Sequence, residues 1–438
     1  MKILLFILSF SFLFAGTNFA QKTRVFDPTN ARDGESVEYC HQHVKMRELN
    51  NDINFRAINA ESEAEFDQKI KESTPKGVVY KIPVVFHVLH NEGVENISDE
   101  QIYDALSILN RDFRKLNADT ANVNADFEGM PADSEIEFVL STKAPNGQCF
   151  KGITRTTSVV SLQGDDGTAQ VSAIVQGNDV YNGTWAGNKY LNFFVCGDIG
   201  GAAGYTYNPG NWNATSMTNG IWVRHDYTGS IGTSSVGTSR TLTHEVGHWL
   251  NLSHTWGGDN NPNVSTSCNQ DDGVQDTPLC IGVTSCNQNS NGCSGDNSYW
   301  GFDIRDNVEN YMDYSYCSKM YTEGQRSRMR AALQVTSTGR KNLWQVSNLN
   351  ATGATGDLVL CKAQFEADRT TICSGNEVQL TDDSYNAVSS WEWTITPATG
   401  WSYTGGTSGT SQDPLILFSS EGLYSVSLTA TDGSSTDV

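Results

Sequence analysis

The chain opens with an almost unbroken apolar run, residues 3–15 (ILLFILSFSFLFA), behind a single cation, Lys2. The run is too short to span a bilayer comfortably, and it gives way to small residues ahead of Gln21. This is the layout of an export signal, residues 1–20, with cleavage expected after Ala20. Residues 21–76 are polar and charged and read as a propeptide. Within them 61–72 (ESEAEFDQKIKE) predicts an exposed helix. At 78–90 (VVYKIPVVFHVLH) the pattern turns apolar and β-rich, which predicts a buried strand. Ser98 and Gln101 predict a capping box. It opens a helix to about Lys115 that carries Ile102, Ala105, Leu106, Leu109 and Phe113 at helical spacing. Further strands are predicted at 135–140, 191–196 and 221–225, with an edge strand at 200–207. Strands mixed with helices predict an α+β domain over residues 77–345. Residues 346–360 read as a linker. From 361 to 438 short alternating runs at 377–380, 390–395, 415–418 and 424–430 lie between Gly, Ser, Thr and Asp turns. They predict a small all-β sandwich.

Charge narrows the function classes. Fifty acids against 29 bases give 438 residues a formal net charge of −21, which argues against phosphate-backbone binding and so against nucleic acid as a partner. No stretch after the signal approaches 18 apolar residues, so no membrane span is expected and the product should be secreted. Export makes disulfides the default for the ten cysteines, none of which forms a CxxC pair. Five of them crowd into 268–317, a stretch rich in Asn, Ser, Gly and Asp that predicts a long bridged loop.

One segment carries the chemistry: 240–256, RTLTHEVGHWLNLSHTW. His244 and His248 are four residues apart, so on a helix they share a face about one turn apart. That spacing brings two imidazoles to one zinc ion. Glu245 points roughly 100° aside, where it can take a proton from a water without binding the metal. His254 lies six residues beyond His248. A straight helix would carry it about 9 Å along and out of reach, so the chain must turn sharply. Asn251 sits at that turn and tolerates the left-handed conformation better than most residues. Three neutral imidazoles leave zinc one open position, where water can be activated and a peptide carbonyl polarised. The other histidines (His41, His43, His87, His90, His225) lack such spacing. A thermolysin-like arrangement would need a downstream Glu as third ligand, and the next is Glu309, far along the chain. Cys40, in the polar N-terminal segment, offers a thiolate that could fill the open position; an ordinary disulfide is the alternative.

HEVGHWLNLSH resembles the HExxHxxGxxH pattern of metzincin zinc peptidases, with Asn251 where glycine usually stands. The words HEVGHWL and HTW, with DDGVQDTP at 271–278 and NYMDY at 310–314, resemble the pappalysin family within it. The likeness runs from about Tyr80 to Gly339. It implies a metzincin-like domain, a twisted mixed sheet with an active-site helix, and a zinc endopeptidase that hydrolyses peptide bonds in protein or peptide substrates. Met312 would shape the floor of the zinc site, and Tyr314 would donate a hydrogen bond to the tetrahedral oxyanion. Glu245 would be the general base. The 200–207 segment would bind an extended peptide by strand addition. Some family zymogens are kept latent by a propeptide cysteine, the role Cys40 would take. The resemblance also implies bridges Cys268–Cys293 and Cys286–Cys317; Cys361–Cys373 and Cys149–Cys196 are local pairings, which leave Cys280 odd. Between 231 and 310 nine acids face two arginines, and family members bind calcium around this loop. Asp271, Asp272, Asp276, Thr277 and the Val274 carbonyl are the hard oxygens offered. No acid stands between Tyr314 and Cys317, so a preference for Arg or Lys is not implied. The C-terminal unit, with SWEWT at 390–394 and YSVSLTATD at 424–432, resembles a PKD-type immunoglobulin-like domain. Such modules contact surfaces or polysaccharides or act as spacers, which would make the protein cell-surface associated. The competing class is a surface-binding or adhesion protein with an inactive peptidase-like domain; the intact His244, Glu245, His248 and His254 argue against it.

Overall fold

The computed structural model describes residues 27–72, 77–163, 167–258, 261–295, 299–354, 360–433 and 436–438. The signal segment, residues 1–20, lies outside them. The N-terminal part is β1 (Glu38–Cys40), α1 (Gln42–Leu49) and α2 (Ile53–Lys71). The helix expected from residue 61 starts eight residues earlier because the Asp52 side chain caps it, accepting from the Asn54 N–H. Its apolar positions are few, but Phe55 and Phe66 are buried, Phe66 against Ala332 and Val335.

The central unit follows as β2 (Tyr80–His90), α3 (Asp99–Phe113), β3 (Ile136–Leu140), β4 (Ile153–Thr157), α4 (Gly167–Gly177), β5 (Leu191–Cys196), β6 (Ala202–Thr206), β7 (Ile221–Arg224), α5 (Thr241–Trp249), α6 (Glu323–Ala332), α7 (Arg340–Leu343) and α8 (Val346–Thr352). The seven strands form one mixed sheet in the order β1-β6-β7-β5-β2-β3. The long β2 takes β3 along its first half and β4 along its second, both parallel. β6 runs antiparallel to β7, and β1 runs parallel to β6. The segment expected to be an edge strand is therefore covered: Cys40 pairs with Gly204 and Glu38 with Ala202. β2 and β5 are mostly apolar and buried on both faces, apart from the exposed Lys81, because both faces of the sheet are packed. One core joins the sheet to α3, α5 and the turn around Met312; the other packs Trp185, Phe194, Tyr205 and Trp222 on the opposite face.

Three further expectations change. Ser98 caps α3 by accepting from the Gln101 N–H, but the capping box is only half made. The Gln101 amide instead donates to the His225 and Thr228 carbonyls at 2.9 Å, tying α3 to the loop ahead of α5. The 346–360 stretch does not begin as a linker. Its first seven residues are α8, which buries Asn348 and Leu349 beside β2. Cys361 does not pair with Cys373, nor Cys149 with Cys196. Cys149 binds Cys361, their Cα atoms 6.1 Å apart. Cys196 is fully buried inside β5, away from any partner thiol, and Cys373 is exposed; neither is bridged, and nor is Cys280. Cys268–Cys293 and Cys286–Cys317 are bonded.

Beyond residue 360 come β8 (Phe365–Ala367), β9 (Asn376–Asp382), β10 (Ser390–Thr396), β11 (Trp401–Thr404), β12 (Leu415–Phe418), β13 (Ser425–Thr431) and β14 (Thr436–Asp437). They make two antiparallel sheets, β10-β13-β14 and β11-β12-β9-β8. Alternate residues of the facing strands (Val378, Leu380, Trp393, Ile395, Ile416, Leu428) form the core. Among the described residues no helix is long and apolar enough to cross a membrane.

Candidate active site

α5 is buried along its whole length, including all three polar groups of its motif. Its interior glycine explains how it sits. A Cβ at Gly247 would clash with the Met312 sulfur, so only glycine lets the helix rest on the turn below it. Tyr321 holds the same helix by donating to the Thr243 carbonyl at 2.7 Å. The helix ends at Leu250, and Asn251 follows with φ 72°, the left-handed residue that reverses the chain. The Asn251 carbonyl accepts from Arg328 Nε at 2.6 Å, which fixes the reversal.

That turn brings the third histidine in. His248 Nε2 lies 3.1 Å from both His244 Nε2 and His254 Nε2. The Nδ1 of His244 donates to the Tyr311 carbonyl at 2.7 Å, and that of His248 to the Leu252 carbonyl at 2.8 Å. These bonds set the tautomer and leave the Nε2 lone pairs facing one another. The His254 ring stacks on Trp256, with centroids 4.4 Å apart. Burial holds the imidazoles neutral, lowering the His244 pKa to about 3 and that of His248 well below its usual value. Three converging lone pairs at this separation repel unless a cation lies between them, so the donor set fits zinc.

Two more groups complete the cluster. The ligating atoms of Cys40, His244, His248 and His254 all lie within 4.8 Å of one another, and all four residues are buried. Burial, with Glu245 beside it, pushes the Cys40 thiol well up in the absence of a metal charge. Glu245 is fully buried and neither carboxylate oxygen has a regular hydrogen-bond partner. Burial raises its pKa to about 8, and the Cys40 thiol turned toward it works in the opposite direction. A carboxylate at this position, beside the converging imidazoles, is placed to take up a proton and return it.

Met312 is fully buried beneath α5. Tyr314 is buried too, its ring edge-on to His254 at 4.9 Å and to Trp256 at 4.8 Å, and its hydroxyl donates to the Cys40 carbonyl at 3.3 Å. Glu309 stands apart from the histidines and accepts from Asn124, Gln288 and Lys319. In the 271–277 loop Asp272 accepts from the Thr277 hydroxyl at 2.8 Å and the Val274 N–H at 2.9 Å, and the Val274 carbonyl accepts from Thr277. Asp271 accepts from the Gly273 N–H, and Asp276 from the Thr322 hydroxyl and the Gly324 N–H.

Sequence reasoning missed Tyr39 and Gly204. The Tyr39 ring lies 5.0 Å from that of His244 and 5.2 Å from that of Tyr314. Nothing in a three-residue strand signals it. Gly204 could have been found, since a glycine inside a strand marks a close approach. A Cβ there would come 2.7 Å from Glu245 Cγ.

Residues 175–334 match the Peptidase_M43 family, described as pregnancy-associated plasma protein-A. An extracellular metalloprotease of Neurospora crassa is 30% identical over 228 residues, 48% of this chain and 74% of that one. An extracellular metalloprotease 1 of Coccidioides posadasii is 27% identical over 59% of this chain and 79% of its own. Among solved structures, promirolysin of Tannerella forsythia superposes with TM-score 0.57 at 28% identity, over 72% of this chain and 99% of that one. Mature mirolysin with a cleaved peptide gives TM-score 0.54 at 31% identity, over 64% and 99%. Shared sequence over most of these relatives, and the same fold around one histidine triad, mean that this chain belongs to the peptidase M43 (pappalysin) family of metzincins.

Proposed function

We propose that the protein is a secreted zinc endopeptidase made as a zymogen, in which residues 21–76 hold the active site closed and Cys40 takes the open position at the histidines. The observation that carries this is the convergence of three imidazole nitrogens with the Cys40 thiol beside an unsatisfied, buried Glu245. The likeness to promirolysin, at 28% identity over 72% of this chain and 99% of that one, supports the zymogen reading. The extracellular relatives and the apolar leader support export.

His244, His248 and His254 hold the metal, which when bound supplies a Lewis acid and lowers the pKa of water near it. Once the N-terminal segment leaves, a peptide takes the place of β1 along β6. The desolvated Glu245 accepts the proton of the attacking water and passes it to the leaving amine. Tyr314 already donates to a carbonyl of the peptide in the cleft, that of Cys40, and the same hydroxyl serves the oxyanion of a substrate. Met312 and Asn251 position the ligands. The finer reading adds a structural calcium ion at 271–277. Asp272 is buried with only neutral donors and its like-charged neighbour Asp271 beside it, a setting that favours a cation. The two C-terminal sheets are read as a PKD-like module that contacts surfaces or polysaccharides.

The test is hydrolysis of a denatured protein by full-length and processed forms, with zinc counted per chain. Hydrolysis by the processed form alone is expected, lost in Glu245→Ala and on chelation, and Cys40→Ala should make the full chain active. Cleavage untouched by Glu245→Ala, or no zinc, would sink the mechanism. Zinc without hydrolysis after processing would favour the adhesion protein.

A further inference from the structure

We propose that the seat of Tyr39 is the specificity pocket of the mature enzyme and selects a tyrosine or phenylalanine next to the bond that is cut. This rests on the reading that the Cys40 segment occupies the substrate cleft.

Cys40 stands at the histidine cluster, so its neighbour stands where a side chain flanking the scissile bond would stand. The main chain there is extended and paired with β6, as a bound peptide would be. Tyr39 is 1% exposed. His244 and Tyr314 present their rings to it, Tyr314 edge-on at 78°. Its hydroxyl is turned to Thr241, the first residue of α5. The Thr241 hydroxyl donates to the Thr238 carbonyl at 2.9 Å, which leaves its oxygen free to accept from a phenol. The pocket therefore fits a flat ring with a donor at its tip.

The charges around it decide against a basic side chain. Arg32 lies over the Tyr39 ring at 4.2 Å, balanced by Glu35. Both belong to the N-terminal segment and depart with it. A cavity of about 400 Å³ that Arg32 also lines carries Arg111, Arg240, Lys319 and Asp119 on its walls. Asp119 is already paired with Arg240 at 2.8 Å. Of the enzyme's own carboxylates, the one that acts on Tyr39 is Glu245, which the reaction uses. The acids there are already engaged, Asp112 and Asp119 by Arg240 and Glu309 by Lys319, so an incoming arginine or lysine finds no open acid, whereas an aromatic ring finds ring edges and a hydroxyl.

The experiment uses processed, zinc-loaded enzyme and peptides that differ only at the two positions flanking one bond, carrying Tyr, Phe, Ala, Arg, Lys or Glu. Cut sites are read by mass spectrometry and rates as kcat/KM. At one flanking position Tyr and Phe should exceed Arg, Lys and Glu at least tenfold. Equal rates, or a basic or acidic residue in front, overturn the proposal. If no peptide is cut, the peptidase reading has failed and the proposal falls with it. Thr241→Val tests the seat of the hydroxyl. It should bring a Tyr-over-Phe ratio of about five, the worth of one neutral hydrogen bond, to about one. An unchanged ratio overturns that seat. In the full chain, Tyr39→Phe should stay latent and Tyr39→Arg should leak activity, with zinc content and melting temperature followed in each. Equal latency of the two overturns the fit, whereas an active wild-type full chain would instead refute the zymogen reading.

Discussion

Gly204→Ala separates catalysis from folding. Gly204 lies inside β6 with an ordinary extended backbone, so alanine is locally acceptable and tends to stabilise a strand by about 0.5–1 kcal/mol. What alanine meets is Glu245. The added Cβ would stand 2.7 Å from Cγ, 2.8 Å from Oε1 and 3.0 Å from Cδ, so the carboxyl must retreat by about 0.7 Å to reach ordinary contact at 3.4 Å. With Cys40 gone Glu245 has no regular hydrogen-bond partner to resist the push, and in the proposed mechanism it is the group that meets the attacking water. A misplacement of roughly 1 Å at such a group costs on the order of 100-fold. The expected outcome for the processed enzyme is therefore a kcat lower by about 10- to 100-fold. KM should stay within about threefold, since binding along β6 is untouched. Zinc content and melting temperature should match wild type. The assay is steady-state hydrolysis of one peptide, with zinc by elemental analysis and unfolding by calorimetry. An unchanged kcat would refute the idea that Gly204 sets the carboxylate, and loss of zinc or of several degrees of stability would assign the glycine a structural role instead.

Two other outcomes follow from the fold. His87 is fully buried, accepting from the Thr154 hydroxyl at 2.8 Å and donating to Asn192 Oδ1 at 3.0 Å, and burial lowers its pKa to about 4. The native protein therefore declines a proton that the unfolded chain accepts below pH 6.5. Its contribution is intact above that value and is lost as pH falls toward 4, by about 2–3 kcal/mol between pH 7 and 4.5. Urea unfolding at the two pH values should show that much less acid sensitivity in His87→Gln, and an equal slope would contradict it. At Asn251 the positive φ and the unbonded Nδ2 predict that Asn251→Gly is neutral within about 0.5 kcal/mol. Asn251→Ala should cost about 1 kcal/mol or more, read as a fall in melting temperature; equal melting temperatures would refute it.

The triad could be read from the chain because helical periodicity turns a four-residue spacing into a distance. The required reversal at Asn251 is likewise local, and φ 72° is found there. The apolar runs of β2 and β5 were equally plain, since both faces of the sheet are packed. α6 escaped notice. Its sequence, EGQRSRMRAA, looks solvent-facing, yet Arg326 and Arg330 are buried. Both pair with Glu135, and the Val78 carbonyl accepts from Arg330. Only the folded neighbour reveals that charge as core. β4 (ITRTT) hides for a related reason, as it borrows its pairing from β2. The Cys149–Cys361 bridge spans 212 residues and joins two units, so no local spacing could favour it over Cys373. The Gln101 amide went to carbonyls more than 120 residues away, contacts that a four-residue motif cannot foresee.

The placement of β1 bears on the protein's life in solution. In the full chain the flank of the sheet is closed by three buried residues, Glu38 to Cys40. Removing them would leave β6 (AAGYT), short and uncharged, with one row of amides and carbonyls unmated. An unmated backbone edge of this kind invites pairing with another chain. For a peptidase that stickiness is also its grip on substrate, so the freshly cut enzyme would be at once at its most active and its least solitary. Storage and handling should accordingly favour the latent form, and peptides shed by digestion would act as guests that keep the opened molecules apart.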